Sequence, residues 1–287
     1  MLERAAGHRA GHAVAWLGVA ICAVGLIAGP LSGQEGQSQS DAGTALERVR
    51  RPNEPAGFRM LTNRPFADRQ ETGWETRRDP TFRIVDDPTA PVSPPHVGVA
   101  VFPPNFRGGR GPIDTYFTLP PGRVRDLYLT FWVKFPTGFV GAQSAGINKI
   151  LHIWVAGKSV VVFSAQGRGR NALLPQMRLQ NVQSDPRGIS FNLDPRAGGR
   201  SGRLERDRWY QIEVLLRLNE SGRRDGSVRW WVDGDPAGLY DNIGFLRGDR
   251  DGSWDRVSWN PTWGSPKDQT SSEMRMMMDH FYISARP

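Results

Sequence analysis

The sequence predicts an all-β protein built as two packed antiparallel sheets, and three observations carry that reading. From Pro52 onward, glycine and proline recur at intervals of roughly 8 to 15 residues and separate short runs rich in β-branched and aromatic residues, the spacing of a sandwich or barrel. Within those runs apolar and polar side chains alternate with period two, as half-buried strands require. Helical periodicity is missing: past the N-terminal segment, glycine or proline interrupts the candidate stretches before a third turn can form.

The elements follow in chain order. Residues 1–33 read as a signal peptide or N-terminal anchor. A short stretch with Arg4 and Arg9 precedes the apolar residues 13–28, and Gly29, Pro30 and Gly33 end it. About 16 apolar residues is the lower limit for spanning a bilayer, so cleavage is the expectation, and with it a secreted or periplasmic location with no membrane contact beyond the signal. Residues 34–51 are rich in Gly, Gln, Ser and Ala and read as a disordered spacer. Residues 52–287 form one β-sandwich domain, with no internal repeat and no second spacer.

Strands are expected at 82–86, 96–102, 114–119, 126–135, 149–155, 159–164, 176–182, 209–218, 227–233 and 274–284. At 126–135, Leu127, Leu129, Phe131, Val133 and Phe135 share a face; at 209–218, Tyr210, Ile212, Val214, Leu216 and Leu218 do so; at 227–233, Val228, Trp230 and Val232. One apolar face per strand is what a sheet covered on one side needs. Trp209 and Trp230 are assigned to packing. The pairs Asp225-Gly226 and Asp233-Gly234 are expected to close tight turns.

Composition narrows the chemistry. The single cysteine, Cys22, lies in the apolar N-terminal run, so the domain has no disulfides, thiolate metal sites or cysteine nucleophile. The net charge of +8 suggests an acidic partner. Lysine occurs only at Lys134, Lys149, Lys158 and Lys267, however, and the arginines are scattered among acids. A basic stripe of the kind nucleic acid requires is absent. An anionic polysaccharide, attracted over long range, is the better match.

Three segments together resemble the concanavalin A-like lectin/glucanase superfamily, in particular its polysaccharide lyase-like members. They are Arg208-Trp209-Tyr210-Gln211-Ile212-Glu213, Val228-Arg229-Trp230-Trp231-Val232-Asp233-Gly234 and Met278-Asp279-His280-Phe281-Tyr282-Ile283-Ser284. The surroundings of Lys134, Asn148-Lys149 and Trp154 add a looser similarity to the lyases. The resemblance implies a two-sheet antiparallel jelly-roll sandwich with one concave face that seats a glycan. Two departures matter. The E-x-D-x-E strand of retaining glucanases is missing, which disfavours that chemistry, and Glu213 stands where related alginate lyases carry histidine in Q-I-H.

A lyase acting on a uronic acid must neutralise a carboxylate, remove the adjacent proton and protonate the leaving oxygen. The catalytic candidates are His152 and Tyr282 as base or acid and Arg178 as the carboxylate partner. Trp154, Gln176, Gln211, Glu213, Arg229 and Trp231 are the substrate-binding candidates, since rings pack on sugar C–H faces and forked polar groups take the hydroxyls. They form one groove only if their strands are neighbours in one sheet. Glu213 is alternatively a surface partner of Arg229. The acids Asp249, Asp251 and Asp255, with Asp233, Asp235 and Asp241 around the hairpin, could hold a structural calcium; no cofactor or catalytic metal is expected. The reading is therefore an exported polysaccharide-recognising protein, with a polysaccharide lyase or a non-catalytic cell-surface structural module as alternatives.

Overall fold

The computed structural model describes residues 50–67, 73–78, 80–155, 160–182, 191–195, 202–246 and 252–286. The strands in chain order are β1 (Arg59–Arg64), β2 (Trp74–Arg78), β3 (Phe82–Asp86), β4 (His96–Phe102), β5 (Asp114–Thr118), β6 (Asp126–Lys134), β7 (Ile147–Val155) and β8 (Val160–Gln166). There follow β9 (Leu174–Gln180), β10 (Phe191–Leu193), β11 (Trp209–Arg217), β12 (Gly226–Val232), β13 (Asp235–Ile243), β14 (Trp254–Trp259) and β15 (Met274–Ala285). No α-helix occurs among the described residues.

Two antiparallel sheets result. The first runs β13-β12-β11-β6-β15-β4-β3, with β1 also pairing β15; the second runs β10-β9-β8-β7-β14-β5-β2. Every expected strand is present. The sequence pattern missed β1, β2, β10, β13 and β14.

The alternation explains the core. Leu127, Leu129, Phe131 and Val133 of β6 and Ile212, Val214 and Leu216 of β11 are fully buried. They belong to one apolar cluster with Leu151 and Ile153 of β7, Val161 and Phe163 of β8 and Val257 and Trp259 of β14. Aromatic pairs stitch the sheets together: Phe131 meets Phe163 edge-on at 5.7 Å, and Phe66 meets Trp259 at 5.5 Å. Each such ring contributes on the order of 1.5–3 kcal/mol through burial.

The turns divide. Asp233 (φ 52°) and Gly234 (φ 82°) are both left-handed, and Val232 pairs Asp235 directly, so this is the expected two-residue hairpin. Asp225-Gly226 closes no tight turn. Arg217 pairs Ser227, and the intervening residues form a longer loop in which the Asp225 carboxylate accepts the Glu220 N–H at 2.8 Å.

Candidate functional site

With the core between the sheets, the outward side chains lie on two opposite outer faces. The expected site residues divide between them, so the single groove that required one sheet does not exist. His152, Trp154, Gln176 and Arg178 project from β7 and β9 of the second sheet. Gln211, Glu213, Arg229, Trp231 and Tyr282 project from β11, β12 and β15 of the first. Period two assigns in and out correctly in both sheets but carries no information on which sheet a strand joins.

The first sheet's outer face is occupied by the chain itself. In one row across it lie Tyr282, Thr130, Glu213 and Trp231, and residues 50–54 are laid over that row. Asn53 donates to Glu213 from its backbone N–H (3.1 Å) and its side-chain amide (2.9 Å), and the Tyr128 hydroxyl adds a third bond at 2.7 Å. Tyr282 and Ser284 donate to Glu54, Gln211 donates to the Arg50 carbonyl, and the Arg51 guanidinium sits 4.2 Å over the Tyr282 ring. Glu213 is fully buried, and Arg229 pairs with Asp241 at 3.7 Å, so the two are not surface partners. Tyr282 is likewise no free acid or base: burial and Glu54 push its hydroxyl above the usual phenol range.

The second sheet's outer face has a different character. The register places Asn192, Arg178, Val162, His152, Ser258, Tyr116 and Glu75 in one row from β10 to β2. The next row holds Gln180, Val160, Trp154, Arg256 and Thr118, and on the other side lie Gln176, Ser164 and Lys149. Trp154 stacks on His152 at 6.2 Å with 18° between the planes, and Arg256 lies 4.9 Å over the Trp154 ring. Ser258 donates to Asp114 at 2.6 Å and the Tyr116 hydroxyl to Glu75 at 2.8 Å. Gln176 donates to Asp194.

Lys149 and Arg256 thus act on one imidazole, and Arg178 lies in its row two strands away. Burial first, then Lys149 and Arg256, push His152 down to about 3, so the ring is neutral at ordinary pH. Burial, then Arg178, lowers Lys149. Buried polar atoms on this face with no hydrogen-bond partner among the described residues include His152 Nδ1, Gln166 Oε1, Gln176 Oε1, Arg178 Nε and Arg256 Nε. Orphaned polar atoms are rare in folded proteins. Here they lie among the cations Lys149, Arg178 and Arg256, which form no ion pair among the described residues.

The fold has well-defined relatives. An endo-β-1,4-glucuronan lyase from the fungus Trichoderma reesei superposes with a TM-score of 0.54 over 79% of this chain and 96% of that one, at 11% identity. The marine alginate lyase from Aplysia kurodai gives 0.53 over 75% and 91% at 12% identity, and an alginate lyase from Chlorella virus gives 0.51 over 89% and 99% at 14% identity. The chain shares the two-sheet antiparallel β-sandwich fold of these lyases. No protein-family model and no curated protein matches it.

On the second sheet's outer face, the sequence pattern found His152, Trp154, Gln176 and Arg178 but missed Arg256, Ser258 and Tyr116, and it gave Lys149 no role. Arg256 and Ser258 were missed with their strand: a bulge between Trp254 and Arg256 breaks the alternation in β14. Lys134, grouped with Lys149 by the resemblance, lies on the other sheet and pairs with Asp87. Of the acids considered for calcium, Asp249 and Asp251 lie outside the described residues. Asp233 accepts from Arg208 and from the Gln211 N–H, and no cluster of three metal-ligating side chains occurs among the described residues. A surface cavity of about 490 Å³ opens elsewhere, beside Arg125, Arg217 and Arg286, but these arginines already pair with Glu220 and Asp126.

Proposed function

We propose that the protein is an exported polysaccharide lyase that binds a uronate-bearing glycan on the outer face of the second sheet and cleaves it by β-elimination. The observation that carries this reading is the neutral, partly unsatisfied His152 beside Lys149 and Arg256, with Arg178 in the same row two strands away. A uronate carboxylate against Arg178 makes the adjacent C5 proton acidic by stabilising the carbanion that its removal creates. One imidazole nitrogen of His152 takes that proton. The freed electron pair forms the C4–C5 double bond as the C4–O4 bond breaks, and the Lys149 ammonium protonates the departing oxygen. Solvent then returns both groups to their starting states.

The cationic surroundings give the step an order. In the free protein, Lys149 and Arg256 oppose protonation of His152. An arriving carboxylate offsets that field, so the ring becomes a better base only once substrate is seated. The fold of the glucuronan and alginate lyases supports the reaction class, and the departures in sequence leave the particular uronate open.

The test is ultraviolet absorbance of unsaturated uronates during incubation with glucuronan, alginate and polygalacturonate. Growth of absorbance on at least one of them is expected, and His152→Ala should lower kcat by roughly 10²- to 10⁴-fold, the usual contribution of a general base. Silence on every uronate polymer removes the lyase. Binding without cleavage would leave a glycan-binding protein using the same face.

A further inference from the structure

Arg256 has a role that the elimination step does not use. It lies on β14, one strand beyond His152, whereas Arg178 lies two strands away on the other side. Its guanidinium lies 4.9 Å over Trp154 and 5.3 Å from Tyr116. It makes no ion pair among the described residues, and its buried Nε lacks a hydrogen-bond partner. Of the nearby acids, Glu75 accepts from Tyr116 and Asp114 from Ser258, while Asp255, the next residue in the chain, feels the guanidinium's charge without forming an ion pair with it. A planar cation lying near two rings and forming no ion pair suits bidentate capture of a carboxylate.

The register sets the distance to the first carboxylate. Arg178 and Arg256 are separated by three strand steps and by two residues along the strands. At about 4.8 Å per step and about 3.3 Å per residue the two positions stand about 16 Å apart, a span that about three repeats of a 1,4-linked sugar chain would bridge. We infer that Arg256 clamps the carboxylate of a second uronate three units along the chain from the one held by Arg178, so that the protein selects polyuronate segments of at least four sugars lying across the strands. This rests on the second-sheet face being the glycan site.

The experiment measures dissociation constants for uronate oligomers of two to six units, by calorimetry, on His152→Ala protein so that the oligomers stay intact. Binding should tighten about tenfold between three and four units, the strength of one charge-assisted fork. Adding Arg256→Ala should remove that step, collapsing the four-to-three ratio towards one. Arg256→Lys, which keeps the charge but not the fork or the stack, should restore only part of it. Because Arg256 packs on two rings, thermal melts accompany each variant. If the alanine variant does not fold, the lysine variant alone must show a reduced step. A smooth dependence on length, or a step that survives Arg256→Ala, overturns the inference while leaving the site in place. Failure of every oligomer to bind at any length overturns the proposed function and this inference with it.

Discussion

His152 ties the site to stability through its proton. An unfolded imidazole titrates near 6.5, but in the fold the ring resists protonation down to about 3, and His280, buried and close to Arg51, down to about 4. Between those values the unfolded chain holds more protons than the native one. Stability from both rings is therefore complete above pH 6.5 and is lost as the pH falls towards 3 to 4. Asp279 acts in the opposite sense. Burial raises it from 3.8 to about 6, so its contribution is present at low pH and is lost as the pH rises through 6. Two histidines with the larger displacements outweigh one carboxyl, and the melting temperature should fall between about pH 6.5 and pH 4. His152→Asn should flatten that fall, as calorimetric scans across the range would measure. In the proposed reaction the same displacement sets the pH dependence. kcat/KM reports the free protein's ionisations, so its acid limb should lie well below the usual histidine range. Flat values from about pH 7.5 to about pH 5 are expected. A limb near 6.5 would mean that His152 is not in the neutral state beside Lys149 and Arg256 described above.

At the scale of elements, the segment of residues 50–54 covers one face of the sandwich and leaves the candidate site on the other. Its anchor is Glu213, whose carboxylate takes three bonds and sees no solvent. Glu213→Gln keeps the shape but turns one acceptor into a donor facing Asn53 or Tyr128. It should cost about 1–3 kcal/mol in denaturant unfolding while leaving kcat/KM on uronate polymers unchanged, because Glu213 lies on the opposite sheet. A large loss of activity without loss of stability would return this face to the site. The same contrast explains what the sequence pattern could and could not reveal. Alternation in β6, β11 and β12 is strict, and their inward faces were legible residue by residue. β13 was hidden by Pro236 and Gly238, and Gly238 is there because a Cβ would fall about 2.0 Å from the Trp230 ring. β14 was hidden by its bulge at Asp255. Sheet membership was not legible at all, since a polar residue facing outward looks the same in either layer. For that reason Gln211 and Glu213, which lie in a segment that carries the resemblance, turned out to bind the protein's own chain, whereas Arg256, in a strand with no visible pattern, faces the candidate site.

For the whole molecule, the net charge of +8 is not spread evenly in its consequences. Cations on the first sheet and at the sandwich edge are largely paired, as in Lys134 with Asp87, Arg217 with Asp126 and Arg229 with Asp241. Lys149, Arg178 and Arg256 form no ion pair among the described residues. The candidate site thus presents three cations without ion-pair partners among those residues, and if it seats a polyanion these should steer it to that face before any contact forms. Steering and contact respond differently to salt. Raising ionic strength from about 0.1 M to about 1 M shortens the screening length from about 10 Å to about 3 Å, which suppresses attraction over distance while leaving half-buried charge-assisted bonds mostly intact. For a uronate polymer the association rate should fall steeply with salt while the dissociation rate changes little. Arg178→Ala should do the reverse, shortening the lifetime of the complex. Surface plasmon resonance on the His152→Ala protein separates the two rates. A dissociation rate that climbs with salt as fast as association falls would mean that the cations act only through solvent, and that Arg178 makes no direct contact with the glycan.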